Sequence, residues 1–263
     1  MDLPATARIG VGRTAEVFAW GEGRALKLFR PWVPAPWVEH ERRVTAAAHD
    51  AGLPAPAVFG LEEAMGRRGI VMERVEGPSL LQLVQAHPWR VTSVGRQLAE
   101  VHAALHARCA PGLPSLPERL REGISRAALC APVQRRAEAA LGRLPAGEAV
   151  CHGDLHPDNV VLTRRGPVVI DWSEAAAGHP LADVARTSLM LRIASPVHGP
   201  VGPLVEAGRR LLHRAYLNRY LALTGASRQA LESFLLPVAA ARASHGIEDE
   251  RPALLALLAR LAA

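Results

Sequence analysis

His152-Gly153-Asp154-Leu155-His156-Pro157-Asp158-Asn159, followed by Val160-Val161-Leu162 and then by Val169-Ile170-Asp171-Trp172, is the stretch that decides the reading of this chain. Apolar residues on either side predict short strands around 149–152 and 168–171, with the polar octapeptide in the loop they flank. The loop carries a carboxylate, Asp154, and shortly after it an amide, Asn159; a second carboxylate, Asp171, ends the next strand. Asn159 is one of only two asparagines in the chain, the other being Asn218. A carboxylate able to accept a proton, beside two hard oxygen donors, is a set suited to a divalent cation such as Mg²⁺.

Working outward, the N-terminal part reads as strands. Residues 7–17 read as a strand, a glycine turn at Gly10 and Gly12, and a second strand. Arg24 to Phe29 alternates as a third strand and carries Lys27, the only lysine in a chain with 31 Lys+Arg. A chain that uses arginine wherever positive charge suffices marks Lys27 as a position needing a compact ammonium. Pro31, Pro34 and Pro36 interrupt the chain, and a helix is expected over 38–51, closing at Gly52. Two more strands are expected at 58–63 and 69–73, joined through a Gly66-Arg67-Arg68-Gly69 turn. Gly77-Pro78 marks a linker, after which helices dominate: 91–107, 118–144 with a break at Pro132, then 183–194, 201–224, 227–244 and 252–262. The expected class is α+β, with a small antiparallel sheet plus one helix over 1–76 and a larger, mainly helical part over 77–263.

Transfer of a phosphoryl group to a hydroxyl needs a carboxylate to orient the hydroxyl and take its proton, oxygen ligands to hold Mg²⁺ on the phosphates, and cations to neutralise phosphate oxygens. Asp154, the pair Asn159 and Asp171, and Lys27 supply these in turn. Glu41 on the first helix is expected to pair with Lys27; Glu39 points to a different face, so only one of the two can do so.

In this order of features the sequence resembles the aminoglycoside phosphotransferase-type kinases, relatives of the protein kinases, from about Ile9 to Val184. The resemblance implies a two-lobed protein-kinase-like fold and Mg²⁺- and ATP-dependent transfer to a small-molecule hydroxyl. It implies Asp154 as base, Asn159 and Asp171 as Mg²⁺ ligands, and Lys27 with Glu41 as the phosphate anchor. It further implies Met72 at the back of the adenine pocket, Glu73 and Val75 as hinge positions whose backbone binds adenine, and Gly10 and Gly12 over the phosphates, although this Gly-x-Gly is only a partial glycine-rich loop. Asp183 resembles an acid that hydrogen-bonds the catalytic loop. Gly153 stands where many protein kinases have an arginine that senses activation-loop phosphorylation, and only a short segment separates Asp171 from Asp183, with no Ala-Pro-Glu. A peptide platform is missing, so a small acceptor is expected rather than a protein.

The remaining histidines of the motif are read more plainly: His152 as a structural residue of the loop and His156 as a solvated one. His102 and His106 have metal spacing on one helix, but they lack the neighbouring glutamate and a third ligand, so core and surface roles are expected. The acidic run Glu248-Asp249-Glu250 either faces the acceptor or caps the last helix. An aminoglycoside, a sugar, a nucleoside-like compound, an amino alcohol or a macrolide would each fit the same catalytic residues.

Composition bounds the alternatives. The chain has 263 residues, 49% of them apolar, enough for a sizeable core. No apolar run reaches the roughly 18 residues of a membrane span, and Met1-Asp2-Leu3-Pro4 lacks the basic and apolar pattern of a signal peptide. A soluble cytoplasmic protein is expected. Cys109, Cys130 and Cys151 are read as free thiols. The net charge of +6 raises nucleic-acid binding, but the arginines are dispersed and aromatic residues make up only 4%. A nucleotide-binding scaffold without catalysis is the alternative from another class, and the intact Lys27, Glu41, Asp154, Asn159 and Asp171 argue against it. Nothing in the sequence addresses oligomeric state.

Overall fold

A computed structural model describes residues 8–193 and 202–262. The expectation for Met1–Pro4 and the helix ends assigned to 194 and 201 lie outside the described residues. No helix among the described residues is long and apolar enough to cross a membrane.

The N-terminal part is a five-stranded antiparallel sheet in the order β1-β2-β3-β5-β4, made of β1 (Arg8–Val11), β2 (Ala15–Ala19), β3 (Arg24–Phe29), β4 (Val58–Ala64) and β5 (Arg67–Glu73), with helix α1 (Ala35–Asp50) inserted between β3 and β4. The period of two along β3 sorts its side chains. Leu26 and Leu28 pack on one face with Phe18, Ala64 and Val71. Phe29 faces the other way and packs with Ala15, Ile70 and Val38 of α1. Lys27, paired in register with Val17 and Ile70, shares that second face and so points at α1.

The sequence expectations hold here with three differences. The helix begins at Ala35, because Pro34 serves as its N-cap and Pro36 sits in the first turn, where a missing N–H costs nothing. Only Gly12 lies in the β1–β2 turn; Gly10 is within β1, at a register shift. The β4–β5 turn is made by Met65 and Gly66, both at positive φ, so Arg67 and Arg68 belong to the strand.

The C-terminal part is mainly helical: α2 (Leu80–Ala86), α3 (Val91–His106), α4 (Leu116–Arg126), α5 (Ala131–Leu141), α6 (Pro180–Ile193), α7 (Pro203–Thr224), α8 (Arg228–Arg242) and α9 (Arg251–Leu261). Helix α2 escaped the sequence reading although it carries a full capping box: the Ser79 hydroxyl accepts from Gln82 N–H while the Gln82 side chain accepts from Ser79 N–H. The break expected at Pro132 falls at 127–130, and Pro132 instead begins α5. Helix α6 is buried along nearly its whole length; Leu181 to Met190 are mostly small or apolar, with the charged Asp183 and Arg186 buried among them. The main core joins α3, α6, α7 and α8 and extends into α1 through Val44 and Ala48.

Four short strands carry the central loop. The strand expected at 168–171 ends at Val169; this strand, β8 (Gly166–Val169), pairs with β7 (Val160–Thr163). The strand before the loop, β6 (Ala149–Cys151), pairs instead with β9 (Ala176–Gly178). Alternation is unreadable in strands of three or four residues, which is why β7 and β9 were not separated from loop.

Candidate active site

The loop between β6 and β7 is held at nearly every residue. Asp183, on the first turn of α6, accepts from the backbone N–H of His152 at 2.5 Å and of Gly153 at 3.0 Å. The same carboxylate receives His102 Nε2 at 3.0 Å and His106 Nε2 at 3.4 Å from α3. Each histidine presents its Nδ1 to a tyrosine hydroxyl on α7, Tyr216 at 2.7 Å and Tyr220 at 2.6 Å. With Nε2–H donated to the carboxylate, the tyrosine O–H donates to Nδ1, so both imidazoles are satisfied as neutral rings. Asp183 is the third ligand-type side chain that the sequence reading did not find, and the three lie close enough to enclose a cation; the ring nitrogens are hydrogen-bonded to Asp183 and the tyrosines. Burial opposes the Asp183 anion, but the two histidines outweigh it and hold the carboxyl well below its ordinary range. Burial, reinforced by His106, pushes His102 down to about 4.

Other bonds complete the loop. His152 Nε2–H donates to Ile170 C=O at 3.1 Å, its Nδ1 accepts from Asp154 N–H at 3.2 Å, and its ring lies edge-on to Trp172 with centroids 4.9 Å apart. That is the structural role expected of it. Thr187 Oγ1 donates to Leu155 C=O, and Ser79 Oγ donates to Asp158. Gly153 adopts φ +77°, and a Cβ there would stand 2.4 Å from Glu174 C=O. A side chain at this position is therefore excluded by the chain itself.

Asp154 projects from this frame with its side chain 27% exposed, 3.7 Å from His156 Nε2 and 4.0 Å from Arg186 Nη2. Asn159 donates its amide N–H to Asp154 C=O at 2.9 Å, which turns Oδ1 away from that bond. Asp171 lies one residue beyond the bond from Ile170 N–H to Asn159 C=O. It adopts φ 64°, ψ 66°, one of two non-glycine residues at positive φ among the described residues. Such backbone costs about 1–3 kcal/mol and persists where the surroundings over-determine it.

Lys27 closes the arrangement from the sheet. Its Nζ is 2.5 Å from Glu41 Oε1 and 3.0 Å from Asp171 Oδ1. Glu41 belongs to the buried stripe Val38, Glu41, Val44, Thr45 and Ala48 of α1, whereas Glu39 is on the outer face and pairs with Arg42. Burial works against the Lys27 ammonium, but the two carboxylates outweigh it and raise its pKa. Burial raises the Glu41 carboxyl despite Lys27. For Asp171 the balance reverses, with Lys27 overcoming burial and lowering it.

The remaining expected residues lie in the sheet or just beyond its strands. Met72 shares the Lys27 face of the sheet, in register with Ala25. Glu73 N–H is taken by Ala57 C=O, and its carboxylate pairs with Arg165. Val75, just past β5, makes no hydrogen bond among the described residues, so its N–H and C=O are open. Gly10 and Gly12 have ordinary φ, and a Cβ on either would meet nothing closer than 3.4 Å. The protein's own packing does not demand glycine there. Sequence reasoning missed Arg186 and His245, whose side chains meet beside Asp154. An arginine within the mostly apolar or small stretch from Leu181 to Leu191 was the available signal. Of the acidic run, Glu250 is buried and accepts both Nε and Nη2 of Arg242, at 2.9 and 2.8 Å, so it holds α8 to the start of α9 rather than facing an acceptor.

Several solved structures share this fold. A thermostable mutant of aminoglycoside phosphotransferase APH(4)-Ia, in ternary complex with AMP-PNP and hygromycin B, superposes with a TM-score of 0.65 at 18% identity, covering 97% of this chain and 90% of that one. Amicoumacin kinase hAmiN, in complex with AMP-PNP, Ca²⁺ and Ami, gives 0.62 at 12% identity, covering 98% and 87%. A choline/ethanolamine kinase family protein from Mesorhizobium loti gives 0.57 at 19% identity, covering 97% and 85%. A search of curated protein sequences gave no match. The sequence model of the phosphotransferase enzyme family matches residues 6–224. With this match and the kinase-like fold, the chain belongs to the phosphotransferase enzyme family.

Proposed function

We propose that this small-molecule phosphotransferase moves the γ-phosphate of Mg·ATP to an acceptor hydroxyl, with Asp154 as the base. The observation that carries the proposal is the placement of the only lysine, Lys27, between Glu41 and Asp171. A charged ammonium is thereby set beside the loop that carries Asp154 and Asn159. The residues fit the nucleotide and its cation. Asn159 and Asp171 offer hard oxygens of the kind Mg²⁺ takes, and Val75 offers an open backbone edge where adenine would bind.

Bound Mg·ATP supplies the phosphoryl group and the charge neutralisation that such transfer requires. Lys27 would hold phosphate oxygens as a point charge, its reach fixed by Glu41. Asn159 and Asp171 would hold the cation, the strained backbone of Asp171 aiming its carboxylate. Asp154 would orient the acceptor hydroxyl and take its proton at a carboxylate oxygen, while Asp183 and His152 keep the loop from shifting. Residues 1–76 would act as the nucleotide-holding lobe and 77–263 as the lobe that carries the base and the acceptor. Gly153 and the short path from Asp171 to α6 support an enzyme that needs no phosphorylation switch.

The test is ADP release from Mg·ATP across hydroxylated small molecules, with Asp154→Asn as control. A hit abolished by the control supports the reading. Turnover retained in Asp154→Asn removes Asp154 from its role, and a protein that does not bind Mg·ATP ends the proposal.

A further inference from the structure

Arg186 is 8% exposed and sits on α6 beside Asp154. A buried guanidinium is expected to have a carboxylate on its fork. Here Nη1 and Nη2 reach one atom, His245 Nε2, at 3.4 and 3.5 Å, and Nε has no hydrogen-bond partner among the described residues. His245 is no counter-ion: burial first, then Arg186 itself, holds its pKa down to about 4, so at neutral pH it is an uncharged ring. Asp154 Oδ1 lies 4.0 Å from Arg186 Nη2, close enough for an ion pair and beyond hydrogen-bonding reach.

The neighbouring acids are already committed. Glu250 is taken in bidentate fashion by Arg242, and Glu174 is bonded to Arg119 at 3.1 Å. Burial, then the charge of Arg242, disfavours the Arg186 cation, and Asp154, Glu174 and Asp183 offset this only in part. Asp154, 4.0 Å from Nη2, is the one ion-pair partner of Arg186 among the described residues, and no carboxylate there accepts a hydrogen bond from the guanidinium. Arg186 carries donors and no acceptor, so what it adds beside Asp154 suits an anion rather than a cation.

We propose that Arg186, backed by His245, binds an anionic group of the acceptor, a carboxylate or a phosphate monoester close to the hydroxyl that is phosphorylated. This rests on the reading of Asp154 as base. With Asp154 holding the hydroxyl and Arg186, 4.0 Å from it, holding the anion, the two groups of the acceptor would lie close together. Arg186 is then a specificity-determining residue, and the acceptor is a small hydroxy acid or a hydroxylated phosphate ester.

The test compares matched acceptors in the Mg·ATP-dependent ADP release assay: 3-hydroxypropanoate against 3-hydroxypropanamide, glycerol phosphate against glycerol, and an aminoglycoside as polycation. Wild type is expected to prefer the anionic member of a pair, and the preferred pair tells carboxylate from phosphate. Arg186→Gln should cut that preference by about 100-fold, mainly through the acceptor KM. Arg186→Lys, which keeps a charge in the same space, should retain part of it and carries the test if the glutamine variant melts early. Equal use of paired acceptors, preference for the polycation, or a preference that survives Arg186→Gln overturns the inference. If Mg·ATP binds but no acceptor supports turnover, direct binding of the same pairs in the presence of AMP-PNP is judged by the same criterion. The underlying kinase reading fails separately, by absent Mg·ATP binding or by undiminished turnover in Asp154→Asn.

Discussion

Asp183 accepts the backbone N–H of His152 at 2.5 Å, so an acid on α6 directly sets the position of the loop that carries Asp154. Asp183 also accepts from Gly153 and from two buried histidines. Asp183→Ala would leave four donors facing a buried gap. We expect a loss of about 3–5 kcal/mol in folding stability, read by urea or thermal unfolding, together with loss of turnover.

Asp154→Asn keeps the shape of the loop, whose bonds run through the backbone of Asp154 rather than its carboxylate. Turnover should fall by about 10²–10⁴ with Mg·ATP affinity nearly unchanged, checked by ADP release and by nucleotide titration.

Lys27→Arg tests whether the compact ammonium matters. The Lys27 side chain is 12% exposed and already spans Glu41 and Asp171. A planar fork cannot occupy that gap without displacing one carboxylate. ADP release should fall by about 10-fold or more with the fold intact by circular dichroism. An unimpaired variant would show that the unique lysine is incidental.

Gly153→Ala introduces a Cβ 2.4 Å from Glu174 C=O at φ +77°. The backbone term alone costs about 1–2 kcal/mol, and relieving the contact must move either the loop or the segment after Asp171. A lowered melting temperature with a larger loss of turnover than of stability is the expected pattern.

Stability should decline on acidification through the histidine range. His102, fully buried, has its pKa lowered from 6.5 to about 4, first by burial and then by His106. The unfolded chain then binds the proton more readily than the folded one, so the neutral ring's contribution is present above about pH 6.5 and is lost as pH falls toward 4. For His102 this amounts to about 3 kcal/mol. Urea midpoints at pH 7, 5.5 and 4.5 measure it, and a flat profile would contradict a neutral, buried His102.

Much of the site was legible in the sequence because its residues are close in the chain or singular in type. The loop from His152 to Asn159 announces itself by order, and Lys27 by being the only lysine. The sequence showed only that Glu41 and Glu39 point to different faces, with Glu41 favoured by its spacing to Gly52 in the family it resembles; the buried stripe Val38, Glu41, Val44 and Ala48 of α1 puts Glu41 on the inner face. The strands β7 and β9 were not legible, since three or four residues hold too few alternations and their pairing is set by the loop they support. Pro36 and Pro132 were read as breaks although each starts a helix, because a proline in a first turn and a proline after a helix look alike without the neighbouring backbone.

The sequence by itself determined the class of fold, the candidate residues of the His152–Asn159 loop and the strand face of Lys27, because alternation, helical stripes and motif order are local properties of the chain. Only the tertiary structure decided that Asp183 gathers two histidines under the loop, that Glu250 serves Arg242, and that Arg186 pairs with Asp154 with no carboxylate hydrogen-bonded to it. Those relationships join residues far apart in the chain, and burial and charge balance are sums over everything packed around a group, which no local pattern encodes.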